Sequence, residues 1–325
     1  MNPAKSYVAQ VAAPSRLHFG LLSFGAGAGR QFGGLGAMIR RPGLKLTLRA
    51  SDRFEVQGPL AERAAEFARR LARALGLPGD PLCRIDIQSA PPEHVGLGTG
   101  TQLGLAVASA LHPLLASGPA TVQQLAAIVG RGTRSAIGTH GFASGGLLFE
   151  QGKLPGEAVS PLTARVVLPQ SWRFVLFWPE DGGGLSGQEE REAFSRLGSI
   201  PEDTRRRLID MAAGEILPAA EGGNWSTFGQ ALYRYGHTAG TCFAQYQHGA
   251  YASERVGNLV EAIRGQGIAG VGQSSWGPTV YAVVENEQQA LNLVDALEKG
   301  GNVRPGRWMI SEPAGSGATI ETTLL

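Results

Sequence analysis

"PPEHVGLGTGTQLGLAVASAL", residues 91–111, sets glycines at 96, 98 and 100 and threonines at 99 and 101 directly ahead of a run of small apolar residues. A strand-like segment, "LCRIDIQSA" (82–90), feeds into it. A glycine-rich turn at a helix start points unpaired N–H groups, with their share of the helix dipole, at an anion. Gly96, Gly98 and Gly100 remove side chains that would block approach, and Thr99, Thr101 and Gln102 add donors. The stretch has no Gly-Lys-Ser/Thr as in a P-loop, and no acidic residue closes a following strand as in a dinucleotide fold. It predicts a helix over 101–115, apolar on nearly all sides and therefore buried, with an anion cradle at its start. A tight strand-to-helix connection without a ligand is the alternative.

Working outward, "YVAQVAA" (7–13) and "SRLHFGLLS" (15–23) read as strands flanking Pro14. "GLKLTLRAS" (43–51) and "RFEVQG" (53–58) alternate like a sheet with two different faces. "AERAAEFARRLARALGL" (61–77) has apolar residues at helical spacing and ends on Gly76 and Pro78; the arginines of its "ARRLARALG" part (68–76) lie on one helix face and are expected to meet water. A helix over 123–129 and a strand in "GGLLFEQG" (145–152) follow. Pro and Gly loosen the chain near 154–160. Beyond it come strands in "ARVVLP" and "WRFVLFWP", helices near 189–197, 202–220, 225–245 and 251–265, and a strand–turn–strand in "GIAGVGQSSWGPTVYAVV" (267–284). A helix over 287–299 and closing strands in "GRWMI" and "ATIETTLL" complete the pattern. No fixed-period repeat occurs. Both halves mix strands and helices, so two α+β domains, 1–160 and 161–325, are expected with a cleft between them.

The bulk numbers bound the function. A chain of 325 residues, 43% hydrophobic, supports two cores, and a net charge of +2 with scattered basic residues argues against a nucleic-acid partner. Cys83 and Cys242 match no metal spacing and suggest a reducing compartment. His94, His112, His237 and His248 share no zinc spacing. No apolar run reaches membrane-spanning length and no signal-peptide core opens the chain, so a cytoplasmic protein acting on small molecules, with no membrane partner, is expected. Glycine is the outlier at 47 residues, clustered at 20–36, 96–104, 130–146 and 265–277. Such clusters suggest a site lined by main chain.

Three of these segments together resemble the GHMP kinases. "PPEHVGLGTGTQLGLAVA" is similar to their second motif, "APSRLHFG" (13–20) to their first, and "GIAGVGQSSWGPTVYAVV" to their third, in the same order across the chain. The resemblance implies a two-domain α+β fold, with an N-terminal ribosomal-protein-like βα domain and a C-terminal ferredoxin-like domain. Many GHMP kinases carry an aspartate in a Ser-Gly-Val-Asp segment near the attacking hydroxyl. In "RSAIGTHGFASGGLLF" (134–149), Ser135, Ala136 and Ile137 fit that pattern, but Gly138 stands where the aspartate would be. A glycine accepts no proton, so the cradle is retained without the base.

One branch of the superfamily fits this departure. "SRLHFGLLS", "GLGTGTQLGLAVA", "GRGTRSAIGTHGFASGG", "GLSGQEEREAF" and "GVGQSSWGPTVYA" resemble the β-ribofuranosylaminobenzene 5′-phosphate synthase family; Thr133, Arg134 and Ala136 depart from its expected glycine-richer pattern. The resemblance implies a phosphoribosyl transferase that condenses phosphoribosyl pyrophosphate with 4-aminobenzoate or 4-hydroxybenzoate. It would release carbon dioxide and pyrophosphate in methanopterin biosynthesis, with Mg2+ on the donor and no organic cofactor. A homodimer is a further expectation. An ATP-dependent GHMP small-molecule kinase, with a base such as His140, and a non-catalytic homologue that binds a phosphorylated metabolite are the alternatives.

For such a site, Arg16, His18, Arg134 and His140 are the candidate catalytic residues. Arg16 suits a carboxylate because a guanidinium holds it by two parallel bonds, and His18 suits a substrate hydroxyl or a proton. Substrate and phosphate binding is expected from Ser15, the 96–102 turn, Arg131, Ser135 and Gly138. The third-motif loop adds Gly272, Gln273, Ser274, Ser275 and Trp276, the last as a surface for an arene. Glu189 and Glu190 are candidate magnesium ligands, although acids also favour a helix start for dipole reasons alone. The metal ligands are otherwise unassigned.

Overall fold

The computed structural model describes residues 7–24, 29–179, 192, 198–247 and 249–324. The expected helix over 189–197, the "GLSGQEEREAF" motif and the acids Glu189 and Glu190 lie outside or almost wholly outside the described residues. Among the described residues, no helix is long and apolar enough to cross a membrane.

The first sheet runs β11–β1–β2–β4–β3, from Thr319–Leu324, Tyr7–Leu21, Gly34–Ala50, Cys83–Ser89 and Glu55–Gln57. A branch of β5 (Leu147–Glu150) and β6 (Ala164–Val166) pairs onto β2. All its pairings are antiparallel except β3 with β4. β1 is one continuous strand where two were expected around Pro14. The sequence break reappears as register shifts at Ala13/Ser15 and His18/Gly20. Bulges of this kind re-aim side chains beside functional sites.

Helices α1 (Ala61–Ala74), α2 (Thr99–Leu115) and α3 (Val122–Ile128) cover one face of this sheet. α1 buries Ala64, Phe67, Ala68 and Leu71, the stripe its spacing predicts. α2 is buried along most of its length, and Gly104 lets it close onto α1, since a Cβ there would lie 3.2 Å from the Phe67 ring. α2 begins at Thr99, two residues earlier than expected, because Gly98 takes a left-handed φ of 71° and turns the chain into the helix. α4 (Ile137–Ser144) went unrecognised in the sequence. Its glycines weaken the helical signal, and Gly141 is required by contact with Met38.

The second sheet has the order β10 (Trp308–Ser311), β7 (Arg173–Phe177), β9 (Val280–Val284), β8 (Val271–Gln273), all antiparallel. Past Arg173, β7 is wholly apolar because both of its faces are covered. Phe174 and Leu176 join the core shared with the first sheet, while Val175 and Phe177 pack under α8 (Glu254–Gly265) and α9 (Glu287–Lys299). The shared core also takes Leu17, Phe19, Leu35 and Phe149 from the first sheet. Helical segments α5 (Glu202–Met211), a π-turn at Ala212–Ile216, α6 (Leu217–Glu221) and α7 (Trp225–Thr241) supply its third side, with Phe228, Leu232 and Tyr235 fully buried. Full burial of such side chains stabilises by about 1.5–3 kcal/mol each, so the two sheets are welded by a common interior.

Sheet membership does not divide at residue 160. β6 belongs to the first sheet, and β11 returns from the end of the described chain to pair with β1, Tyr7 opposite Leu324.

Candidate functional site

The three glycine-bearing segments meet through main-chain ties. The amide of Arg16 on β1 donates to the carbonyl of Leu97 at 2.9 Å, and the amide of Ser275 donates to the carbonyl of His18 at 2.9 Å. Ser274 Oγ donates to the Gly96 carbonyl at 2.7 Å and accepts from the His18 amide at 3.0 Å. Gly96, at φ 85°, has no room for a Cβ beside the Ser274 carbonyl. Thr279 adds bonds from its amide and hydroxyl to the Val95 carbonyl.

A cavity of about 430 Å³ opens over these ties. Arg16, Arg131 and Arg134 line it beside Gly98, Gly100 and Thr101 at the start of α2. Arg63 of α1 joins them, a residue the sequence reading did not single out. It pairs with Glu93 and lies against Gly100, where a Cβ would collide with its guanidinium. Burial lowers its pKa. Arg131 stacks over the Phe67 ring at 5.1 Å. Gly98 admits Arg16, since a Cβ there would stand 3.0 Å from Arg16 Nε. Four guanidinium groups and a helix N-terminus therefore face one space, an arrangement suited to a multiply charged anion.

The cavity also has an aromatic side. Trp276 and Phe243 meet edge to face at 4.8 Å and line it together with Tyr251. Phe24 packs behind Phe243 at 4.6 Å. Gln273 and Ser275 line the cavity, but Gln273 also serves the local fold, donating to the Ser275 carbonyl at 2.9 Å and accepting from the Ala252 amide at 2.7 Å.

His18 lines the cavity next to Ser135. Its Nε2 lies 3.0 Å from Ser135 Oγ, which donates in turn to Glu150 Oε1 at 2.7 Å. Burial, followed by the charge of Arg16, holds the His18 pKa well below its usual value, so the ring is neutral at physiological pH. Glu150 is fully buried, and desolvation pushes its carboxyl up to about 7 against the bonds that favour its charged form. The sequence reading missed Glu150. The only trace of it was a single acid closing the apolar run "LLFE".

Several expected site residues stand outside the cavity lining. His140 is turned away, its Nε2 2.8 Å from the Ser160 carbonyl, and burial lowers its pKa. It braces α4 and has no place as a catalytic base. Ser15 is spent on the Pro42 carbonyl at 2.6 Å. Gln102 is buried and donates to the Gly138 carbonyl at 2.9 Å, so this pair links α2 to α4 instead of facing a ligand. A Cβ on Gly138 would sit 3.1 Å from Thr101. Gly272 is glycine for packing, because a Cβ would lie 2.6 Å from the Tyr281 hydroxyl. Ser274 ties loops together, as described. Thr99 does line the cavity, but its hydroxyl shapes the turn by donating to Pro92 at 2.8 Å. Among the described residues, no group of three His, Cys, Asp or Glu residues is arranged to hold a metal ion.

Comparison with known proteins agrees with the fold. The profile of the GHMP kinases N-terminal domain matches residues 60–146, and that of the GHMP kinases C-terminal domain matches residues 216–303. The chain is 30% identical to a beta-ribofuranosylphenol 5'-phosphate synthase of Methanothermobacter thermautotrophicus, over 95% of this chain and 94% of the relative. It is 32% identical to the protein of the same name from Archaeoglobus fulgidus, over 84% and 87%. Among solved structures, the mevalonate diphosphate decarboxylase of Enterococcus faecalis superposes with a TM-score of 0.68 at 14% identity, covering 97% of this chain and 99% of that one. At that identity the likeness is one of fold.

Proposed function

The chain belongs to the beta-ribofuranosylphenol 5'-phosphate synthase family of the GHMP kinase superfamily, and from that premise we propose that it condenses phosphoribosyl pyrophosphate with 4-hydroxybenzoate. Carbon dioxide and pyrophosphate are the by-products. The phenol in the relatives' name favours the hydroxy acid over 4-aminobenzoate. The observation that carries the reading is the division of one cavity into an arginine-rich side at the start of α2 and an aromatic side at Trp276 and Phe243.

In the reaction, the bond between ribose C1 and the pyrophosphate oxygen breaks, and the electron pair leaves with pyrophosphate. C1 bonds to the ring carbon that bears the carboxylate. The bond to the carboxylate then breaks, carbon dioxide departs, and its electron pair restores the aromatic ring. These bond changes transfer no proton; the pyrophosphate leaves fully ionised and takes one up from solvent at neutral pH. Arg16, Arg63, Arg131 and Arg134 offset the charge of donor and leaving group in a site partly shielded from water, where such contacts are stronger than in solution. Trp276 and Phe243 hold the arene, and neutral His18 orients the para hydroxyl whose electrons drive the attack. Magnesium, expected with the donor, finds no ligand set among the described residues.

The test is release of labelled carbon dioxide from carboxyl-labelled 4-hydroxybenzoate, with and without phosphoribosyl pyrophosphate, and with 4-aminobenzoate in a parallel arm. Release that depends on the donor supports the reading. No release from either acid, or consumption of ATP with a small alcohol instead, overturns it.

A further inference from the structure

We infer that Glu150 is a positioning residue of this site: acting through Ser135, it holds the His18 imidazole in a single tautomer, with Nε2–H given to Ser135 and Nδ1 left as the acceptor nitrogen. This deepens the proposed function and rests on His18 working in that cavity.

The direction of the chain follows from counting donors. The Ala136 amide donates to Glu150 Oε1 at 2.8 Å, and Ser135 Oγ stands 2.7 Å from the same oxygen. Because the Ala136 amide already donates to Oε1, a carboxyl proton belongs on Oε2, and Oε1 stays the acceptor toward Ser135 in either charge state. The single hydroxyl proton of Ser135 is thereby committed to Glu150. Ser135 Oγ also takes the Ile137 amide at 3.3 Å, again as an acceptor. Toward His18 Nε2, 3.0 Å away, it can only accept. A neutral imidazole has one N–H, so that proton is fixed on Nε2.

The cost of the arrangement argues for its use. A carboxyl with no exposure is expensive to keep in a fold. The titratable side chains that bear on it are His18 of β1, through Ser135, and Tyr235 of α7, whose own pKa rises partly from the carboxyl; the hydroxyl of Ser160 faces it as well. None of these is a cation that would explain the acid as half of an ion pair. A carboxyl that merely capped α4 through Ala136 would leave the imidazole indifferent to its removal.

The full chain labelled with 15N-histidine, free of substrates, reports the His18 tautomer directly through its ring nitrogen shifts. In the wild type and in Glu150→Gln, whose amide oxygen keeps the acceptor, one Nε2–H tautomer is expected. In Glu150→Leu the two nitrogens should move toward averaged shifts, and kcat should fall at least tenfold while KM stays within threefold. Ser135→Ala gives the same spectral outcome should Glu150→Leu fail to fold. Wild-type His18 shifts in Ser135→Ala or Glu150→Leu overturn the inference. Because the spectra need no turnover, a wild-type protein that releases no carbon dioxide sinks the proposed reaction and leaves the tautomer result standing.

Discussion

The amide of His18 donates to the hydroxyl of Ser274 at 3.0 Å, across 256 residues of chain, and the same hydroxyl donates to Gly96. One side chain with no exposure thus joins the three segments that build the cavity. Ser274→Ala leaves a buried amide and a partly buried carbonyl without their partner; loss at the buried group costs about 1–3 kcal/mol, and at the carbonyl less. The expected outcome is a lowered denaturation midpoint together with a loss of kcat/KM. Unchanged values of both would show that the tie does not set the site.

Gly98 combines a φ of 71° with close approach to Arg16. Gly98→Ala adds about 1–2 kcal/mol of backbone strain and presses a methyl group onto Arg16 Nε. Activity should fall at least as far as it does in Arg16→Ala, with the fold retained by circular dichroism. A fully active Gly98→Ala variant would remove the helix start from the site.

Arg63 and Arg69 share α1 but face different surroundings. Arg63 lines the cavity, whereas Arg69 is exposed and bonded to Asp80. Arg63→Gln should raise the KM for phosphoribosyl pyrophosphate by about ten- to a hundredfold, the range expected when a bond to a charged group is lost. Arg69→Gln should leave it within error. Initial-rate kinetics on the two variants decide the matter, and equal effects would refute the assignment.

The stability of the fold should carry the mark of Glu150. Its pKa is raised from 4.5 to about 7, so the folded protein keeps a proton the unfolded chain has lost. The associated stability is present below pH 4.5 and disappears as pH rises through about 7, by roughly 3 kcal/mol. His18 acts in the opposite sense: its pKa is lowered, the unfolded chain takes a proton below about 6.5, and stability is lost as pH falls. Glu150→Gln removes the first slope and leaves the second. Denaturation midpoints measured from pH 5 to 8 should therefore climb more with pH in the variant than in the wild type, the two curves diverging up to about pH 7; parallel curves would contradict the shift.

Much of the fold was legible because burial writes itself into periodicity. The stripe on α1, the two-sided burial of β7 and the span of α9 all follow from residue spacing. Arg16, His18, Ser135 and Trp276 came from motif resemblance, and all four line the cavity. Arg63 was missed because its neighbours Arg69 and Arg70 do meet water, although a cation in the first turn of a helix works against the dipole and was a usable clue. Glu150 left only the acid that closes "LLFE", and Phe243 left no clue. Their roles depend on contacts with Ser135 and Trp276 that only the folded chain brings about. His140 shows the converse, since a histidine beside a motif segment proved to be a brace for the Ser160 carbonyl.

The pairing of β11 with β1 has a consequence for biosynthesis. During translation, β1 leaves the ribosome long before β11 and waits with one edge open until that strand has emerged. Vectorial completion of the first sheet is therefore barred, and in the interval that unpaired edge is open to strands of other chains.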